Sequence, residues 1–133
     1  MNIIELQTRC DRVPFFRFLG ISILETDETH LLAKMPFEER FIGNPVLDTY
    51  HGGIIASFME TIASLSVLDD VNAAPVKPIN LAVDYLRPGF AGTLTTRATI
   101  SRKGRRMASV ETLAWLEDES KPVAKGLFHF LLV

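Results

Sequence analysis

The chain has 133 residues, 47% apolar and 23% charged, which is the balance of one globular domain. That excludes a disordered chain, a collagen-like chain and a disulfide-framed mini-protein. Fourteen Lys and Arg against sixteen Asp and Glu leave a net charge of −2, without the basic excess of a general nucleic-acid binder.

Met1 to Arg9 alternates apolar and polar residues and lacks the h-region of a signal peptide. No apolar run reaches the roughly 20 residues that span a bilayer. Cys10 is the only cysteine, so it has no internal disulfide partner and supplies no cysteine cluster for zinc. A lone thiol suits a reducing compartment. The sequence therefore reads as a soluble, cytoplasmic chain forming a single domain over residues 1–133.

In chain order, Asn2 to Arg12 predicts a short helix with a weak apolar side from Ile3, Ile4 and Leu6, ended by Pro14. Phe15, Phe16, Phe18 and Leu19 follow as a dense apolar stretch up to Gly20. It reads equally as a core plug or as a lid over a ligand site. Ile21 to Thr26 and Leu31 to Met35 flank the polar turn Asp27-Glu28-Thr29-His30 and predict a β-hairpin. Phe37 to Asp48 has no period and predicts a loop.

His51 to Leu68 is the strongest helix signal, entered from Asp48-Thr49, both capable N-cap residues. It is apolar nearly all round, which predicts a buried helix. Ser57, Glu60, Thr61 and Ser64 fall at i, i+3, i+4 and i+7 and make one narrow polar stripe. Such a stripe on a buried helix needs partners or a wet cavity. Four period-two segments complete the chain, around Asn80–Tyr85, Leu94–Ile100, Ala108–Leu116 and Ala124–Leu132. An antiparallel sheet has one apolar face to cover, and only the His51–Leu68 helix is apolar enough to cover it. The expectation is an α+β fold in which the sheet curls round that helix.

The chemistry concentrates in His51-Gly52-Gly53 and in Glu60. Two glycines at a helix start let another group approach the backbone. The first amides there are unpaired and sit at the positive end of the helix dipole, where they stabilise an anion or a carbonyl oxygen becoming one. The plain alternative is a tight loop-to-helix junction. Glu60 lies among apolar neighbours, and a partly desolvated carboxylate is a candidate general base or nucleophile. Gly53 and Glu60 are seven residues apart, or roughly 10 Å along a helix axis at about 1.5 Å per residue. One helix does not bring both to one reacting carbon, whereas two antiparallel copies across a two-fold axis can. The spacing therefore predicts a dimer with two shared sites.

His-Gly-Gly followed by Glu60 nine residues after His51, together with the strand Val83-Asp84-Tyr85-Leu86-Arg87-Pro88, resembles the hotdog-fold acyl-CoA thioesterases of the PaaI (phenylacetate-pathway) type. The resemblance runs in element order from about Gly20 to the C-terminus. It implies a hotdog fold, a curled antiparallel sheet wrapped around one long central helix, assembled as a homodimer or homotetramer. It implies hydrolysis of an acyl-CoA substrate with no metal and no bound cofactor, while the charge balance and the short apolar runs lead to the expectation of no nucleic-acid and no membrane partner.

Residue by residue, the resemblance implies that the Gly53 amide binds the thioester carbonyl. Glu60 activates water or attacks directly. His51 holds the loop and orients the thioester, and Asn44 positions water or substrate. Asn44 precedes His51 by seven residues where the family usually shows six, and Glu60 is Asp in many members. Gly52, Thr61 and Ser64 stand as substrate contacts. The basic turn Lys103, Gly104, Arg105 and Arg106 resembles the place where the CoA phosphates rest, with Arg87 nearby. A purely solvated hairpin tip is the alternative for that turn. Other readings of the whole chain are a non-catalytic acyl-CoA binding module, a hotdog hydratase or dehydratase, and a structural dimer.

Overall fold

The structure is a computed structural model and describes residues 1–132. The first helix, α1 (Ile3–Asp11), starts where Asn2 Oδ1 accepts a hydrogen bond from the Glu5 N–H at 2.8 Å. Leu6 and Cys10, four residues apart, share one face and are buried. Gln7 fastens the helix to the neighbouring chain: its Nε2 donates to the Ile21 carbonyl, and its Oε1 accepts from the Ile23 N–H.

The apolar stretch after Pro14 is itself a helix, α2 (Pro14–Leu19), with Pro14 in its first turn. It ends at Gly20, whose φ of 74° is left-handed. Only Leu19 in it is fully buried, while Phe15 and Phe18 stack on each other in the open. Leu19 lies in the core and Phe16 packs against it, so the stretch is a core plug only in part.

The hairpin forms as predicted from β1 (Ser22–Thr26) and β2 (His30–Met35). The segment predicted as a loop is more ordered than its sequence suggests. It holds a single 3-10 turn (Glu39–Phe41) and a small two-stranded sheet, β3 (Ile42–Asn44) with β4 (Thr49–Tyr50). Strands this short carry no readable period. What holds them is packing, with Phe41 and Tyr50 buried and their rings stacked.

The central helix α3 (Gly52–Ser66) is followed by β5 (Lys77–Tyr85), β6 (Leu94–Lys103), β7 (Met107–Trp115) and β8 (Ala124–Leu131). Hairpin and later strands form one six-stranded antiparallel sheet in the order β1-β2-β6-β7-β8-β5. The separate four-stranded run predicted from the sequence is thus extended by the hairpin. The join is β2 on β6, with Ala33 opposite Thr96 and Met35 opposite Leu94. The inner face carries Leu31, Ala33 and Met35, then Leu94 and Ala98, then Val110, then Phe128 and Phe130, all buried. Against it lie Ile55, Phe58, Met59 and Ile62 of α3. This is the hotdog fold, an antiparallel sheet around one long central helix.

Close approach of helix and sheet shows at Gly126, where a Cβ would lie 2.5 Å from the Phe128 ring and 3.0 Å from the Met59 methyl. The edge strand β5 behaves differently. Leu81, Val83 and Tyr85 face the helix side, because they pair with Phe128, Gly126 and Ala124. Yet Leu81 is 46% and Tyr85 54% exposed. The helix leaves this edge of the sheet partly uncovered. Among the described residues, no helix is long and apolar enough to cross a membrane.

Candidate active site

The α3 N-terminus is built by the β3–β4 segment beneath it. The His51 N–H donates to the Phe41 carbonyl at 2.7 Å, and the Tyr50 N–H donates to the Gly89 carbonyl at 2.8 Å. A Cβ on Gly43 would stand 2.6 Å from His51 Cα, so only glycine lets this strand pass so near the helix entrance. The predicted N-cap, Asp48-Thr49, is corrected. Asp48 takes a left-handed φ of 54° in the loop, and Thr49 pairs with Asn44 in the small sheet. His51 caps the helix instead, its Nδ1 accepting from the Gly53 N–H at 2.9 Å. The proton of the neutral ring then sits on Nε2.

Tyr85 reaches over from β5 and donates its hydroxyl to the Gly52 carbonyl at 2.7 Å. A Cβ on Gly52 would meet the Tyr85 ring at 3.1 Å, so the first glycine makes room for that contact. Asn44 lies in a strand rather than a loop. Its Oδ1 accepts from the Val46 N–H at 3.0 Å, closing the turn that follows.

Two turns further along α3, Glu60 opens onto two adjoining cavities. The larger, about 230 Å³, has Phe16, Leu65, Leu68, Val76 and Pro78 among its apolar walls, and Arg9, Glu60 and Ser64 as its polar groups. The smaller, about 130 Å³, lies between Phe15 and Phe16 of α2 and the stripe Ser57, Glu60, Thr61 and Ser64. The hydroxyls of Thr61 and Ser64 are satisfied by the helix itself. Thr61 Oγ1 donates to the Ser57 carbonyl and Ser64 Oγ to the Thr61 carbonyl, each at 2.8 Å. Glu60 is half-buried, and its desolvation pushes the carboxyl above its ordinary value.

The sequence-predicted residues therefore fall into three places within one chain. Asn44, His51, Gly52 and Gly53 gather at the helix start. Glu60, Thr61 and Ser64 line the cavities at mid-helix, and neither cavity reaches the first group. The basic turn stands apart from both. Arg102, Gly104, Arg105 and Arg106 border a shallow cavity of about 360 Å³ with Met107 and Ser109. Lys103 is paired with Asp69 at 2.8 Å, and Arg87 Nη1 donates to the Pro122 carbonyl at 2.8 Å.

Arg9, Pro75, Val76 and Pro78 were not legible as cavity walls, because they come from segments more than sixty residues apart in sequence. The Tyr85 contact to Gly52 likewise has no local signal. Among the described residues, no group of three or more His, Cys, Asp or Glu could hold a metal ion.

Residues 47–123, more than half the chain, match the Thioesterase superfamily, and the chain belongs to that family. It is 26% identical to a medium/long-chain acyl-CoA thioesterase, YigI, of Salmonella typhimurium, over 80% of this chain and 78% of that one. It is 29% identical to the acyl-coenzyme A thioesterase PaaI of Escherichia coli, over 84% of this chain and 78% of that one. Among solved structures, a thioesterase from Haemophilus influenzae superposes with a TM-score of 0.85 at 26% identity, covering 100% of this chain and 91% of the other. Together these support a thioester hydrolase with acyl-CoA thioesterase relatives.

Proposed function

We propose that the protein is a cytoplasmic acyl-CoA thioesterase of the PaaI type. In this reading its active site forms between two copies, Glu60 from one and the Gly53 amide from the other. The single observation that carries the proposal is Glu60. It is a half-buried carboxylate with a raised pKa, placed where two cavities meet under the N-terminal helices. A base is most effective when its pKa approaches the working pH.

Water held by Glu60 gives its proton to the carboxylate as its oxygen attacks the thioester carbonyl carbon. The developing oxyanion takes the Gly53 N–H in place of His51 Nδ1, which swings aside and orients the sulfur end. Collapse breaks the C–S bond, and the Glu60 proton passes to the CoA thiolate, leaving free acid and thiol. The acyl group enters the larger cavity. The nucleotide end of CoA runs toward Arg102, Arg105 and Arg106, whose guanidinium groups suit phosphate.

The partner copy is supported by the separation of Gly53 from the Glu60 cavities within one chain. It is supported also by β5, an edge strand whose Leu81 and Tyr85 are left half-open on the helix side. Co-expression of two inactive variants tests the sharing. Glu60→Gln removes the base, and Gly53→Pro removes the amide hydrogen. In a mixed dimer one site carries both lesions and the other neither. Random pairing then restores about a quarter of wild-type turnover if the sites are shared across a two-fold axis. No restoration, with both variants folded and mixed dimers recovered, places both groups in the same protomer and sinks the shared site.

A further inference from the structure

We infer that Phe16 makes the site selective for acyl groups that are unbranched at the carbon next to the thioester carbonyl. This rests on the thioesterase reading and adds to it a specificity-determining residue and a substrate class, the straight-chain acyl thioesters. The two cavities beside Glu60 have three lining residues in common, Phe16 from α2 and Glu60 and Ser64 from α3. Those three therefore form the waist between the cavities, with an aromatic ring on one helix and the carboxylate on the other.

The ring is held there. Phe16 packs against the core, and its neighbour Leu19 is fully buried in it. Arg40 fixes the end of α2, since its Nη2 donates to the Phe18 carbonyl at 2.8 Å and its guanidinium lies 4.1 Å over the Phe18 ring. Arg17 Nη1 donates to the Asp11 carbonyl at 2.9 Å and ties α2 back to α1. A ring anchored in this way does not step aside at small cost for a substituent pressed against it.

The two cavities differ in what they accept. From Glu60 the larger passes Ser64 and Leu65 to Leu68, along one side of α3, over roughly 12 Å at about 1.5 Å per residue. A volume of about 230 Å³ drawn out over that length suits a single hydrocarbon chain. The smaller, about 130 Å³, falls below the ~150 Å³ of an apolar cavity that encloses benzene. The hydroxyl-bearing Ser57 and Thr61 are among its walls, so it suits water better than an alkyl or aryl branch. With the thioester carbon at Glu60, a straight chain leaves along α3. A branch on the first carbon projects across the waist onto Phe16.

The test compares octanoyl-CoA, 2-methyloctanoyl-CoA and 7-methyloctanoyl-CoA in the wild-type protein, Phe16→Ala and Phe16→Leu. The two branched thioesters have the same atoms and differ only in where the methyl stands. The readout is the ratio of kcat/KM for octanoyl-CoA to that for each of them, compared between proteins so that the intrinsic slowing by a branch cancels. The ratio against the 2-methyl thioester should fall about tenfold or more from wild type to Phe16→Ala, the order of one methyl group in a close-fitting pocket. Phe16→Leu should lie between, and the ratio against the 7-methyl thioester should stay level. An equal loss on all three substrates, with ratios unchanged, makes Phe16 a packing residue only and overturns the inference. A 7-methyl ratio that moves together with the 2-methyl one overturns it too. Should Phe16→Ala not fold, the Phe16→Leu ratio decides in the same way.

The same thioesters are titrated calorimetrically into Glu60→Gln with and without Phe16→Ala. If the wild type turns over none of them, yet octanoyl-CoA binds more tightly than 2-methyloctanoyl-CoA and Phe16→Ala closes that gap, the slot stands and the hydrolase reading falls. Turnover with ratios indifferent to Phe16 has the opposite meaning. Neither turnover nor Phe16-dependent binding removes both.

Discussion

Desolvation acts on the Glu60 carboxyl, and its consequences run in two directions. Its folded-state carboxyl lies above the ordinary value of 4.5, with burial as the cause. The charged form is therefore the costly one in the fold. Below the unfolded value both states are protonated and the cost is absent. It appears as pH rises through the folded value and persists at neutral pH. Glu60→Gln should melt no lower than wild type at neutral pH, and its relative advantage should vanish in acid. Scanning calorimetry at the two pH values checks this. Activity has the opposite sign. The base must be ionised, so kcat/KM should rise with pH through that same raised value, and Glu60→Gln should lose about 10²–10⁴-fold in rate. A profile whose acidic limb lies at or below 4.5 contradicts the assignment.

At the scale of elements, the entrance to α3 joins stability to chemistry. His51 is both the helix cap and the neighbour of the proposed oxyanion amide. His51→Ala should cost about 1 kcal/mol through loss of the cap, or roughly 3–5 °C in Tm. His51→Asn, whose side-chain oxygen can accept from the same amide, should recover most of the stability without the imidazole. Thermal melts of both variants read the cap, and kcat separates it from any role of the ring. Had the sequence alone been followed, Asp48-Thr49 would have been the cap. Those residue types do favour caps, but here they are committed to the turn and strand that set His51 in place. The α3 helix and the long strands were legible because each buries a face at its own period. The strands β3 and β4 were not, since two or three residues show no period. The position of Glu60 on a polar stripe was also legible, because helix spacing is local. The cavity beside it was not, since α1, α3 and the chain near Val76 meet there only after folding.

The whole molecule is lopsided. One margin of the sheet is covered by α1 through Leu6 and Cys10, whereas the β5 margin presents apolar side chains and an unpaired strand edge. Leu81→Arg places a charge on that margin. Because Leu81 is already half-open in one chain, the protomer should still fold. Sedimentation should then show single protomers at micromolar concentration where the wild type is larger, and turnover should fall at least about tenfold with the lost assembly. An assembled, inactive Leu81→Arg protein would place the interface elsewhere.

The opposite margin has a consequence of its own. Cys10, 1% exposed and with burial pushing its thiol up to about 12, offers alkylating reagents almost no thiolate while α1 is seated. Chemical capture of that one sulfur counts the excursions in which the N-terminal segment lifts away. The chain thus carries its own clock for the opening of the wall that Arg9 and Phe16 help to build.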